Sequence, residues 1–157
     1  MLKRMIWIIA ILIIGVPLVG TIVLRAWASN AERPTNLGIT NGQLAPCPDS
    51  PNCVATQGAQ PDQQMAPLAY TGPVDAAKAR LLQIIQALPR VTPIADEGDY
   101  LAFVFRSQLI GYPDDVEFRF DDNAKVIHFR SASRLGRGDM GVNRARMEAI
   151  RQAFAEQ

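Results

Sequence analysis

Apolar side chains are distributed very unevenly along this chain. Met5 to Leu24 is a run of 20 residues with no charge. At about 1.5 Å of rise per residue, a helix of that length crosses the roughly 30 Å hydrocarbon core of a bilayer. Gly15, Pro17 and Gly20 weaken a water-soluble helix but are tolerated in a membrane-spanning one. Lys3 and Arg4 precede the run and favour a cytoplasmic N-terminus, a bias that Arg25 on the far side weakens. The pattern predicts a single-pass anchor within residues 1–29 in the cytoplasmic (inner) membrane, spanning it through residues 5–24, with the rest of the chain periplasmic or otherwise extracytoplasmic. A cleaved signal peptide is the alternative. Ala26-Trp27-Ala28 fits the small-residue rule of a cleavage site, although the run exceeds the roughly 7–15 residues usual in a signal core. Both readings deliver the residues after 30 to the same compartment.

Beyond the run, no period survives from Asn30 to Gly72, a stretch of 43 residues with six Pro and four Gly. Its start, residues 30–36, reads as a spacer from the membrane, and the remainder as ordered coil wrapping a domain that occupies 37–157. From Val74 to Leu88 the apolar positions Ala77, Leu81, Ile84, Ile85 and Leu88 form one helical face. Pro73 suits the first helical position, Asp75 complements the dipole, and Pro89 stops the helix.

Four strand-like runs follow. Arg90–Ala95 contains Pro93, which argues for an edge position. Tyr100–Ser107 sets Leu101, Phe103 and Phe105 on one face. Asp115–Phe120 opposes Val116, Phe118 and Phe120 to Asp115, Glu117 and Arg119. Lys125–Ser131 opposes Ile127 and Phe129 to His128 and Arg130. The Asp121-Asp122-Asn123 link is short and turn-forming, so the last two runs form a hairpin. A last helix over Val142–Phe154 carries the stripe Met147, Ile150 and Phe154. The order predicts an α+β domain: a roughly four-stranded antiparallel sheet with one face buried under two helices.

Charge adds a second pattern. The whole chain has 16 Lys+Arg and 15 Asp+Glu, and removing Lys3, Arg4 and Arg25 leaves the part after residue 30 with 13 basic and 15 acidic side chains. Nothing global draws it to nucleic acid. Asp96–Asp122 holds eight acids and two arginines, whereas Lys125–Gln157 holds seven basic residues and three acids. One reading is mutual neutralisation on a solvated sheet face. The other is a polar site built from Arg106, Asp115, Glu117, His128 and Arg130. A flat sheet face makes a poor pocket unless a loop covers it, and Asn36–Pro67 is available as that cover.

Cys47 and Cys53 flank a proline-stiffened five-residue loop. In an oxidising compartment a structural disulfide is the default, with a redox-active pair and a metal site as lesser alternatives. His128 is the one histidine and lies far away, so neither a metal centre nor a Ser-His-Asp triad is indicated, and no cofactor is implied. The segment Arg130–Arg144 joins the last strand to the last helix and is rich in Gly, Ser and Arg. It lacks the glycine spacing of nucleotide-binding loops. It reads either as an anion site at a helix N-terminus or as a structural loop, its arginines paired with the Asp114-Asp115 corner and Asp139 or Asn143 capping the helix. The carboxylates of Asp115 and Glu117 share a strand face with Cβ atoms about 7 Å apart, a common spacing in solvated strands.

Three stretches together resemble the domain-of-unknown-function family 1499: Pro46-Cys47-Pro48-Asp49-Ser50-Pro51-Asn52-Cys53-Val54, then Asp114-Asp115-Val116-Glu117-Phe118, then Arg130 to Arg146. The resemblance covers about Leu37 to Phe154. Ala55-Thr56 departs from it, since members tend to carry serine there. Such proteins occur in bacteria and in plastids, often behind a membrane or targeting segment. The resemblance supplies no reaction, but it implies that the cysteine loop, the Asp-Asp-Val-Glu corner and the Arg-rich loop belong to one site.

Three functions fit these readings. The first is a membrane-anchored extracytoplasmic module that binds a small anionic ligand or an envelope protein through Arg130, Ser131, Ser133, Arg134, Asp139, Asn143 and Arg144, braced by Asp114, Asp115 and Glu117. The second is a hydrolase or transferase acting on an anionic substrate, with Asp115 or Glu117 as acid or base and the arginines holding charge. The third is a purely structural envelope protein.

Overall fold

The computed structural model describes residues 2–156. Helix α1 (Leu2–Ala10) passes through a π-helical turn at Ile11–Gly15 into helix α2 (Val16–Ser29). Pro17 accounts for the irregular turn. It has no N–H to donate, and its ring crowds the carbonyl one turn back, so the preceding backbone widens. The helical run continues past Leu24 to Ser29, and Ile11–Ser29 forms a 19-residue helix apolar and long enough to cross a membrane, nearly all of it exposed.

The coil that follows is more structured than its composition predicts. Strands β1 (Ile39–Thr40) and β2 (Gln43–Leu44) form a small hairpin. Asn41 and Gly42 make its turn, both with positive φ, 52° and 73°. Those angles match a two-residue hairpin turn of the kind that Asn-Gly favours. Strand β3 (Cys53–Ala55) and strand β4 (Leu68–Ala69) both join the main sheet. A disulfide links Cys47 to Cys53.

Helix α3 (Val74–Gln86) leads into the long strands β5 (Val91–Glu97), β6 (Tyr100–Arg106), β7 (Pro113–Asp121) and β8 (Val126–Ser133), and helix α4 (Val142–Ala155) closes the fold. Pro73 stands at the N-cap of α3 rather than inside its first turn. The sheet is antiparallel throughout, in the order β3-β8-β7-β6-β5, with β4 also paired to β8. It has six strands, not four. The two additional ones contribute three and two residues, too few to display a period of two. β5 lies at the edge, and its pairing shifts between Pro93 and Ala95, where proline has no N–H for the ladder.

The face of Leu101, Phe103, Phe118 and Phe129 is buried with Leu81 and Ile85 of α3 and Met147 and Ile150 of α4. Phe118 stands opposite Leu101 and Phe129 in the neighbouring strands and packs edge-to-face with Phe103, centroids 6.3 Å apart. Full burial of one such ring stabilises the fold by about 2–3 kcal/mol.

Candidate functional site

The strand alternation divides the candidate residues between the two faces of the sheet. Asp115, Glu117 and Arg130 point away from the helices, and Glu117 stands directly across from Arg130 in the register. This face is not open to water. Glu117 is 0% exposed and Asp115 1%. The cover is the coil leading into the β1–β2 hairpin: the Gly38 N–H donates to Glu117 Oε1 at 2.8 Å, and Leu44 of β2 is buried.

Each buried charge there is answered. Glu117 Oε1 also accepts the Tyr100 hydroxyl at 2.8 Å, and Oε2 lies 3.3 Å from an Arg130 guanidinium nitrogen. Burial, followed by the adjacent Glu117 charge, pushes the Tyr100 phenol far above its ordinary range. Arg134 grips Asp115 with both arms, Nε to Oδ2 at 2.8 Å and an Nη to Oδ1 at 2.7 Å. Its other Nη donates to the Ala31 carbonyl at 3.2 Å, tying the start of the coil to the sheet. The hydrogen bond to Asp115 raises the Arg134 pKa further, against the effect of burial. A bidentate arginine–carboxylate pair of this kind is strong and directional.

On the helix side, Asp114 pairs with Arg146 of α4 at 2.5 Å. Arg146 also reaches Ser131 Oγ and Asn143 Oδ1. Asn143 is wholly buried and uses both ends of its amide. Its Oδ1 accepts the Ser131 hydroxyl at 2.6 Å, and its Nδ2 donates to the Asn52 carbonyl, Ser133 Oγ and Asp139. Asp139 accepts the backbone N–H groups of Gly141 and Asn143 and so satisfies donors at the start of α4. Burial works against the charged form of Asp139, and these hydrogen bonds outweigh it, leaving its pKa below the ordinary carboxylate value. Asn52 in turn donates to the Ser133 and Gly136 carbonyls. The cysteine loop, the Asp-Asp corner and the Arg-rich loop therefore meet at one end of the sheet.

Arg144 stands apart from both clusters and donates to the Asp62 carbonyl at 2.6 Å. His128 is half-buried, with Nδ1 3.1 Å from Thr56 Oγ1, whose hydroxyl oxygen accepts the Phe129 N–H. Arg106 turns to the Gly111 carbonyl. Among the described residues no three His, Cys, Asp or Glu side chains are grouped to hold a metal.

A recess of about 330 Å³ opens beside the helix-side cluster. Trp27, Tyr112, Leu135, Met140 and Val142 give it apolar walls, and Asp114, Ser133 and Asp139 give it polar ones. Of the site, sequence reasoning overlooked Tyr100, Asn52 and Arg146 as working parts. A tyrosine opening a strand three residues before Phe103 carried no signal of its own. Asn52 and Arg146 lay inside the stretches that carried the resemblance, and the Arg146 contact follows from Asp114 having the opposite parity to Asp115.

A family model described as a protein of unknown function, DUF1499, matches residues 43–154. No curated protein matches the chain.

Proposed function

The chain belongs to the DUF1499 family, and from that premise we propose that it is a membrane-anchored extracytoplasmic binding module. Its seat is the recess between the end of the apolar helix and the 134–142 loop. The observation that carries this reading is the contrast between that recess and the charged residues around it. The recess has open, largely apolar walls with Asp114, Ser133 and Asp139 at hand. Asp115 and Glu117 are buried in pairs with Arg134 and Arg130 and present no free acid or base to a cavity. Such a seat suits a ligand with an apolar body and a few hydrogen-bonding groups. Lys3 and Arg4 ahead of the helix and the Cys47–Cys53 disulfide support an extracytoplasmic domain. Native mass spectrometry of the membrane-extracted chain is the test. The expected result is a non-covalent adduct that leaves on denaturation and is missing from Leu135→Trp, whose larger ring fills the recess. A bare native mass for the unaltered chain removes the small-molecule reading and leaves an envelope protein as the partner.

A further inference from the structure

Among the described residues outside the N-terminal helix, the large hydrophobic side chains that remain exposed are Leu109, Met140 and Val142. All three lie at one end of the domain, in or beside the β6–β7 loop and the loop before α4. Leu109 is 74% exposed and Met140 completely so. Met140 is held at φ 53°, a left-handed conformation that methionine rarely adopts. Helix α2 ends at the same place. Arg25 Nε donates to the Leu109 carbonyl at 2.8 Å, Trp27 packs edge-to-face on Tyr112 at 6.2 Å, and Trp27 and Met140 border one recess.

The contact to Arg25 fixes the depth of this end. Arg25 follows directly on Leu24, the last residue of the uncharged run, so a bilayer around that run has its headgroups at the level of Arg25 and Trp27. The Leu109 loop, bonded to Arg25, is at that level too. Arginines accompany it: Arg25, Arg90 and Arg106 border a recess of about 390 Å³ with Leu109 and Ile110. Each guanidinium is oriented by a backbone carbonyl, those of Leu109, Arg106 and Gly111 respectively. Among the described residues none of the three pairs with a carboxylate. Their unused N–H groups suit phosphate oxygens.

We propose that this end of the domain is a phospholipid-docking surface. Leu109 and Met140 enter the outer leaflet, and Arg25, Arg90 and Arg106 hold lipid phosphates beside them. The proposal rests on the reading of the apolar helix as a retained anchor. It adds that the domain lies down on the bilayer rather than hanging from a flexible tether, with the mouth of the recess facing lipid.

The full chain, reconstituted into phosphatidylcholine–phosphatidylglycerol vesicles with nitroxide quenchers both near the headgroup and deep in the acyl chains, tests it. Both native cysteines are in the disulfide, so one added cysteine carries one fluorophore. Leu12→Cys reports the anchor, Leu109→Cys and Met140→Cys the docking surface, and Asn123→Cys the opposite end of the sheet. Quenching at 12, 109 and 140 several-fold above that at 123 is the expected result. Quenching at 12 with 109 and 140 no higher than 123 overturns the docking surface while leaving the anchor intact, and points to a protein partner on this end. No quenching at 12 overturns the anchor and the docking surface with it.

Discussion

Arg134 stands where the alternation of β8 gives way to the glycine-rich loop, and its guanidinium is committed to one carboxylate. Both nitrogens that face Asp115 are used at 2.7–2.8 Å, and Asp115 is buried. Removing one partner of such a pair leaves a desolvated charge behind, which costs about 3–5 kcal/mol. Arg134→Ala is therefore expected to lower the unfolding free energy by about 3 kcal/mol in urea titrations, and Asp115→Asn added to it should recover part of that loss. A change under about 0.5 kcal/mol, the scale of a surface pair, would return Arg134 to the pool of residues free for a ligand. The sequence grouped Arg134 with the Asp114-Asp115 corner, and the structure makes the Asp115 contact. It could not say that Glu117 and Asp115 would be dry. A period of two reports which side chains share a face, not what covers it, and the cover comes from Gly38 and Leu44, far off in the chain.

The elements recovered from the pattern are the long ones, and those missed are short. β6, β7 and β8 are each seven or more residues long, enough for a period of two to show, and both core helices show their stripe. β3 and β4 have no room for a period and sit among prolines, so only pairing with β8 identifies them. The Asn41-Gly42 pair was a readable hairpin signal, obscured by the composition around it. β3 has one consequence at this scale. Thr56, just past its end, contacts His128 of β8, and the His128 pKa is held below its ordinary 6.5 by burial first and Arg119 second, with Asp121 opposing. Because the folded value is the lower one, the unfolded chain takes up the proton first as pH falls below about 6.5. The contribution of neutral His128 to stability is thus fully present above that pH and is lost as pH drops toward the folded value. Thermal melts between about pH 7.5 and 5 should show a steeper decline for the unaltered chain than for His128→Gln. Parallel curves would mean that the imidazole titrates as it does in the unfolded chain.

Across the whole molecule, the acid-rich segment Asp96–Asp122 and the basic segment Lys125–Gln157 meet as partners: Asp114 with Arg146, Asp115 with Arg134, Glu117 with Arg130. The domain therefore turns these three pairs inward, and its exposed large apolar groups collect at the end where the N-terminal helix arrives. That arrangement has a direction, and the disulfide reports it. A Cys47–Cys53 bond persists where the surroundings are oxidising and opens in the reducing cytoplasm. Cells with an intact cytoplasmic membrane can be treated with an impermeant reductant and then an impermeant maleimide. If Lys3 and Arg4 set the orientation, Cys47, the more exposed of the two, is labelled after reduction and not before it. If Arg25 prevails and the domain stays inside, it is not labelled until lysis, and then reacts without reduction. Labelling in the first pattern puts the whole domain on the outer side of the membrane, with Leu109 and Met140 at the end where Arg25 and Trp27 join it to the helix.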